Sequence, residues 1–258
     1  MNFKHTVTLF SILISGCAND LIKEADRLYE LKRYNEAVSY YEKYIKIKKN
    51  TPLTEYAAYR AAMIYQIVFN SCEKSSKYFE FIVRNFPDSK YSKEARFRAI
   101  FCPNYFYPTH RKYVLADSQT YGKNAREIIK IQNKTFTQID TISEIYAGKK
   151  LLTSVKKSYL IKGSDVFEKT DKNYSLLFKY PFKNNNSYEE KDVLTSYANI
   201  ERVETKAGVF TNCIAVKKEL KKNHTGNIYY YAPEIGKILV TSFYNDKETR
   251  IMELVSYE

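Results

Sequence analysis

The sequence predicts an α+β fold: a short N-terminal array of helical hairpins, then a C-terminal antiparallel β-sheet or half-barrel. Two observations carry this. Between Asp20 and Cys102 apolar residues recur at three- and four-residue spacing, with small Ala residues inside the pattern. After Pro103 the texture changes to short alternating runs broken by Gly, Asn and Pro. A chain of 258 residues suits two such parts. With 44% hydrophobic and 28% charged residues it can bury a core, which excludes a mainly disordered chain. That core has to be aromatic, since there are 25 Tyr and 15 Phe but no Trp.

The helices follow in order. Residues 20–49 fit two amphipathic helices, with Leu21, Ala25, Leu28 and Leu31 on one stripe and Ala37, Tyr41, Tyr44 and Ile45 on the next. Lys32 to Asn35 make the short connection between them. Thr54 to Phe69 predicts a third helix, with small residues at 57, 58, 61 and 62. Cys72 to Phe86 predicts a fourth, stopped by Pro87, which lacks the N–H a helix needs. Tyr91 to Phe101 predicts a fifth, ending at Cys102-Pro103.

Ala25, Leu28, Tyr34, Ala37 and Tyr41 stand at signature positions that resemble a tetratricopeptide repeat, although Lys32 lies where the usual turn Gly would be. Phe79, Ile82, Val83, Phe86, Pro87, Ser89, Tyr91 and Ala95 resemble the repeat pattern of envelope lipoproteins of the BamD type. Two and a half repeats are present, about half the array of that family. The resemblance implies a concave groove that binds peptides or proteins and does no chemistry of its own. Asp26, Tyr29, Arg60 and Ile64 are its candidate lining. Arg60 interrupts the apolar run Ala57 to Ile67, so it has to reach solvent, a carboxylate or a ligand.

Cysteine spacing offers a further expectation. Cys72 lies 15 residues before Pro87 and Cys102 lies 15 after it, so a hairpin folded at Pro87 brings both thiols to one end. An oxidising compartment then permits a disulfide. Two buried free thiols are the alternative. Cys213 has no evident partner and reads as a small core residue.

Beyond Pro103, ten runs read as strands: Glu127–Ile131, Lys134–Ile139, Thr141–Tyr146, Leu151–Ile161, Tyr174–Phe178, Asn199–Glu204, Val209–Lys217, Asn227–Ala232, Lys237–Tyr244 and Arg250–Tyr257. Fragments 176–181, 205–216 and 229–238, with Gly208, Phe210, Cys213, Pro233 and Gly236 as their fixed points, resemble a β domain of bacterial envelope proteins. Tyr188 stands near the place of a Trp common there. That resemblance implies a relative of the lipoprotein-carrier half-barrels, whose concave face holds acyl chains.

The N-terminus sets the expected compartment. Met1 to Ile14 carry a basic residue, Lys4, then a short apolar stretch, Val7 to Ile14, too short to span a bilayer. Ile14-Ser15-Gly16-Cys17 resembles the lipobox of bacterial lipoproteins. The resemblance implies cleavage of residues 1–16 and a diacylglycerol on Cys17, giving domains 17–103 and 104–258. No Asp directly follows Cys17, which by the rule of that family implies the outer membrane, with the body facing the periplasm.

The formal charge is +13, but 32 of the 42 basic residues are Lys, and nucleic-acid readers favour Arg. The excess is shared, +5 in residues 17–103 and +7 in 104–258. It reads as background, with a weak attraction to anionic lipid beside the anchor and no nucleic-acid partner. His110 and His224 have no partner at metal-ligand spacing, and no nucleophile or phosphate-loop motif is present, so no catalytic residue, metal or cofactor is expected. Lys217, Lys218, Lys221 and Lys222 read as blunting a hairpin edge, and Glu189, Glu190 and Asp192 as a solvated acidic loop. The sequence thus points to a lipid-anchored envelope scaffold that binds other envelope proteins or peptides, with outer-membrane assembly as its expected setting; the alternative is a carrier of a lipid or other apolar ligand in the half-barrel.

Overall fold

The computed structural model describes residues 19–106, 110–170, 173–180, 186–245 and 247–258. The expected signal segment and Cys17 lie outside them. The chain divides into two compact units, the first ending at Cys102 and the second starting at Pro103. The fold is α+β: five described helices, then a twelve-stranded antiparallel open sheet.

In the first unit α1 covers residues 19–30, followed by α2 (Tyr34–Ile47), α3 (Pro52–Met63), α4 (Cys72–Asn85) and α5 (Ser92–Ile100). Lys32 turns the chain between α1 and α2 with φ at +59°, the left-handed conformation that a Gly adopts without strain. Thr51 starts α3: its side chain accepts from the Thr54 N–H, and Pro52 supplies a first helical residue that needs no N–H partner. The helix then widens into a π-helical turn, Ile64–Val68. The Ala stripe is buried at residues 25, 37, 57, 58, 61, 62 and 95, and this lets successive helices approach. Leu28, Tyr41, Phe79 and Ile82 fill the space between them. Each such side chain taken from water contributes about 1.5–3 kcal/mol.

The second unit is one sheet. Its strands are β1 (Lys112–Asp117), β2 (Ala125–Lys134), β3 (Gln138–Ala147), β4 (Lys150–Lys162), β5 (Asp165–Thr170), β6 (Asn173–Lys179), β7 (Ser187–Glu190), β8 (Val193–Thr205), β9 (Gly208–Leu220), β10 (Thr225–Ala232), β11 (Gly236–Tyr244) and β12 (Lys247–Tyr257). Their spatial order is β6-β5-β4-β3-β2-β1-β12-β11-β10-β9-β8-β7. Two meanders therefore meet where β1 pairs with β12, and β6 and β7 are the edges. The sheet curls strongly. The Ala207 N–H in the β8–β9 turn donates to the Leu254 carbonyl of β12 over 3.0 Å, although three strands separate β8 from β12 in the ladder.

Three strands, β1, β5 and β7, are absent from the sequence expectation, and one expected strand is wrong. Lys134–Ile139 is interrupted by a turn at residues 135–137. The Thr135 hydroxyl accepts from the Gln138 N–H over 3.1 Å, so a β-branched residue serves there as a turn cap. Glu189 and Glu190 are exposed but belong to β7 rather than to a loop. The lysine cluster does not blunt an edge, because β9 lies between β8 and β10. Gly226 opposite it is required by packing: a Cβ there would stand 1.9 Å from the Lys218 carbonyl oxygen.

Candidate ligand cavity of the half-barrel

The expected site residues of the helical unit come first. Asp26, Tyr29 and Arg60 do converge, but onto one another. The Asp26 carboxylate accepts from the hydroxyls of Tyr41 and of Tyr56, the latter over 2.8 Å. Arg60 Nε donates to the Tyr41 hydroxyl over 3.2 Å, and its guanidinium lies 3.7 Å from the centre of the Tyr29 ring. Burial pushes the Tyr41 hydroxyl far above its ordinary range and that of Tyr56 up to about 12, so both stay neutral donors. Arg60 thus finds a hydrogen-bond acceptor and an aromatic face inside the unit. Ile64 is 1% exposed and packs in the core with Ala37, Tyr41 and Tyr65, so its place in a groove lining is corrected: an apolar side chain at this depth has no face left for a partner.

Cys72, at the start of α4, and Cys102, after α5, are joined by a disulfide, with their Cα atoms 5.5 Å apart. Cys213 is free and buried, and burial pushes its thiol up to about 12. Neither His forms part of a cleft of charged groups among the described contacts. His224 Nδ1 lies 2.8 Å from Glu219 at an exposed turn, and the His110 ring packs edge-on against Tyr257 at 4.6 Å.

The second unit holds a cavity of about 180 Å³ on its concave side. Its apolar walls are Ile129 and Ile131 of β2, Leu177 and Phe178 of β6, Ile235 of the β10–β11 turn, and Phe106. Rings of Tyr105, Tyr113, Tyr159, Tyr229 and Tyr231 complete the lining. The segment carrying Tyr105 and Phe106 is pinned into the half-barrel by backbone groups. The Tyr105 hydroxyl donates to the Asn212 carbonyl over 2.9 Å, the Glu234 N–H to the Asn104 carbonyl over 2.7 Å, and the Tyr180 hydroxyl to the Pro103 carbonyl over 3.0 Å. Phe178 meets Tyr231 edge-on at 4.8 Å across the cavity wall.

The same cavity is charged on one side. Lys157, Glu168, Lys218 and Lys237 line it. Lys157 pairs with Glu168 at 3.2 Å. Lys237 pairs at 3.2 Å with Glu127, which also accepts from the Ser143 hydroxyl. Burial pushes the Glu127 carboxyl up, but Lys237, Ser143 and Lys157 together outweigh it and hold the group below the usual range. Lys218 has no such neighbour: burial pushes its pKa down, and Glu168 and Glu190 oppose this only from a distance. The walls are therefore more polar than the Phe, Ile, Leu and Val lining that an acyl-chain carrier would show.

None of these cavity residues stood out in the sequence. On β4 Lys157 and Tyr159 alternate inward, and on β9 Lys218 follows Ile214 and Val216 on one face. A lysine in an alternating run signals a solvent face until the curl of the sheet decides which face is concave.

No family model matches the chain, and no curated protein matches it. Three solved structures are similar. A protein inferred to be exported, of YmcC-like fold, from Bacteroides fragilis has 13% identity and a TM-score of 0.42, covering 60% of this chain and 99% of that one. An inferred lipoprotein from Parabacteroides distasonis has 10% identity and a TM-score of 0.43, covering 60% and 98%. The protein CT021 of Chlamydia trachomatis has 8% identity and a TM-score of 0.31, covering 58% and 87%. At these scores the likeness says nothing of ligand, partner or location.

Proposed function

We propose that this chain is a cell-envelope binding protein whose half-barrel takes a small amphiphilic molecule. The observation that supports it best is the cavity, with aromatic and apolar side chains on its walls and lysines on one side. It favours the carrier reading over the scaffold reading. A cavity of about 180 Å³ is small beside ordinary ligand pockets of roughly 300–1,000 Å³, which favours a small ligand over a diacyl lipid. In this reading the protein is not an enzyme, takes no cofactor and does not engage nucleic acid. The lipobox-like Cys17 and the Cys72–Cys102 disulfide support an envelope setting, with lipid anchoring at the outer membrane as the finer proposal.

The test is calorimetric titration of the full chain carrying Cys17→Ser with benzyl alcohol and hexan-1-ol. Saturable one-site binding is expected, and Ile131→Phe, which fills the cavity, should abolish it. No saturable heat with either probe would sink the reading.

A tetratricopeptide-type partner site on the helical unit is a second reading, favoured by one recess. There Glu42 accepts from Tyr65 and Tyr78, each over 2.8 Å, while Asn35, Phe69 and Lys74 line the rim. An envelope pull-down with the full-length protein that yields no reproducible partner would count against it.

A further inference from the structure

We propose that the cavity selects a monoanion with a short apolar or aromatic body, a carboxylate in the first place, and that Lys218 takes up its charge. This rests on the reading of the cavity as a ligand site and names the class of ligand.

The charges around the cavity decide it. Three lysines and one carboxylate line the cavity, and two of the lysines are engaged: Lys157 by Glu168, and Lys237 by Glu127, which stands outside the lining. The Lys218 side chain makes no ion pair or hydrogen bond with the described residues. It sits on β9 opposite Thr195 of β8 and Asn227 of β10, both uncharged. A half-buried ammonium without a partner costs free energy that an incoming anion offsets by supplying the missing charge and acceptor. One unmatched lysine fits one negative charge, whereas a dianion would bring a second charge that has no counterpart unless an existing pair broke. The rest of the ligand meets Tyr229, Tyr231, Phe178 and Ile131, surfaces that favour a flat ring or a chain of a few carbons. The small volume, about 180 Å³, points the same way, to a ligand the size of benzoate or hexanoate rather than a long fatty acid.

The experiment titrates the full chain carrying Cys17→Ser with benzoate and hexanoate, beside benzyl alcohol and hexan-1-ol. The acids should bind at least about tenfold more tightly, the scale of one charge-assisted hydrogen bond. Lys218→Met keeps the apolar stem and removes the charge. It should bring the acids down to the affinity of the alcohols and leave the alcohols unchanged. Glu168→Gln frees Lys157 and should tighten the acids. Equal binding of acid and alcohol, or an acid preference that survives Lys218→Met, overturns the charge anchor while the cavity reading stands. Absence of binding by all four probes overturns both. If Lys218→Met fails to fold, Lys218→Gln takes its place, with the same loss of acid preference expected and its survival overturning the charge anchor.

Discussion

The Tyr188 hydroxyl on β7 donates to the backbone carbonyl of Leu176 on β6 over 2.9 Å. These strands are the two ends of a twelve-stranded sheet, so a side chain spans the gap that a backbone ladder would close in a full barrel. Tyr197 of β8 makes a second, longer bridge, its hydroxyl 3.4 Å from the Leu177 carbonyl. Tyr188→Phe keeps the ring and loses the bond. It should cost about 0.5–1.5 kcal/mol and speed amide exchange in β6 and β7 more than in β9 and β10. Uniform exchange rates across the sheet would show that the seam is not a separate weak point.

The disulfide closes a loop of 30 residues around the α4–α5 hairpin. Cys72→Ser with Cys102→Ser should lower stability by about 2–4 kcal/mol in denaturant unfolding. In a Cys17→Ser background the unfolded, unreduced chain should take up one equivalent of iodoacetamide, at Cys213, and three after reduction. The native chain should take up none, because burial holds the Cys213 thiol up to about 12. Three reactive thiols before reduction would exclude the bridge.

Asp26 is the shared acceptor of Tyr41 and Tyr56, and Tyr41 is fully buried. Asp26→Ala leaves two hydroxyls without their acceptor. It should destabilise the helical unit by about 1–3 kcal/mol, measured by helical circular dichroism during denaturation. A neutral result would instead leave these residues free to serve a partner.

Carboxylate binding should weaken at high pH. The ammonium of Lys218 is the form that binds, and burial lowers its pKa while Glu168 and Glu190 raise it and Lys157 lowers it. Affinity for benzoate is therefore full below that lowered pKa and lost as pH rises through it, earlier than for an ordinary lysine near 10.4. Benzyl alcohol should show no such loss. Parallel pH profiles for the two probes would assign the effect to unfolding or to another group.

Much of the helical unit was legible because its signals are local. Leu21, Ala25 and Leu28 recur at helical spacing and Pro87 announces a stop, whereas the start of α3 at Pro52, capped by Thr51, lies ahead of the expected Thr54. Arg60 was legible as an anomaly, but not its partners, since Tyr41 and Tyr29 stand on other helices, 19 and 31 residues away in sequence. In the sheet, β9 to β12 were marked by alternation and turn residues, whereas β7 is four residues of Ser, Tyr and Glu with no apolar stripe. It forms because β8 beside it offers an unpaired edge.

By itself the sequence determined the α+β class, the change of texture near Pro103, the helix hairpins and the spacing that lets Cys72 meet Cys102. Each follows from periodicity or from a residue with restricted backbone geometry, and neither needs knowledge of distant chain. The tertiary structure alone decided which face of the sheet is concave, and so that Lys157, Lys218 and Lys237 share a cavity with Glu168. Alternation places a side chain on one of two faces, but curl and pairing order choose the inner one, and they arise from contacts between strands far apart in sequence.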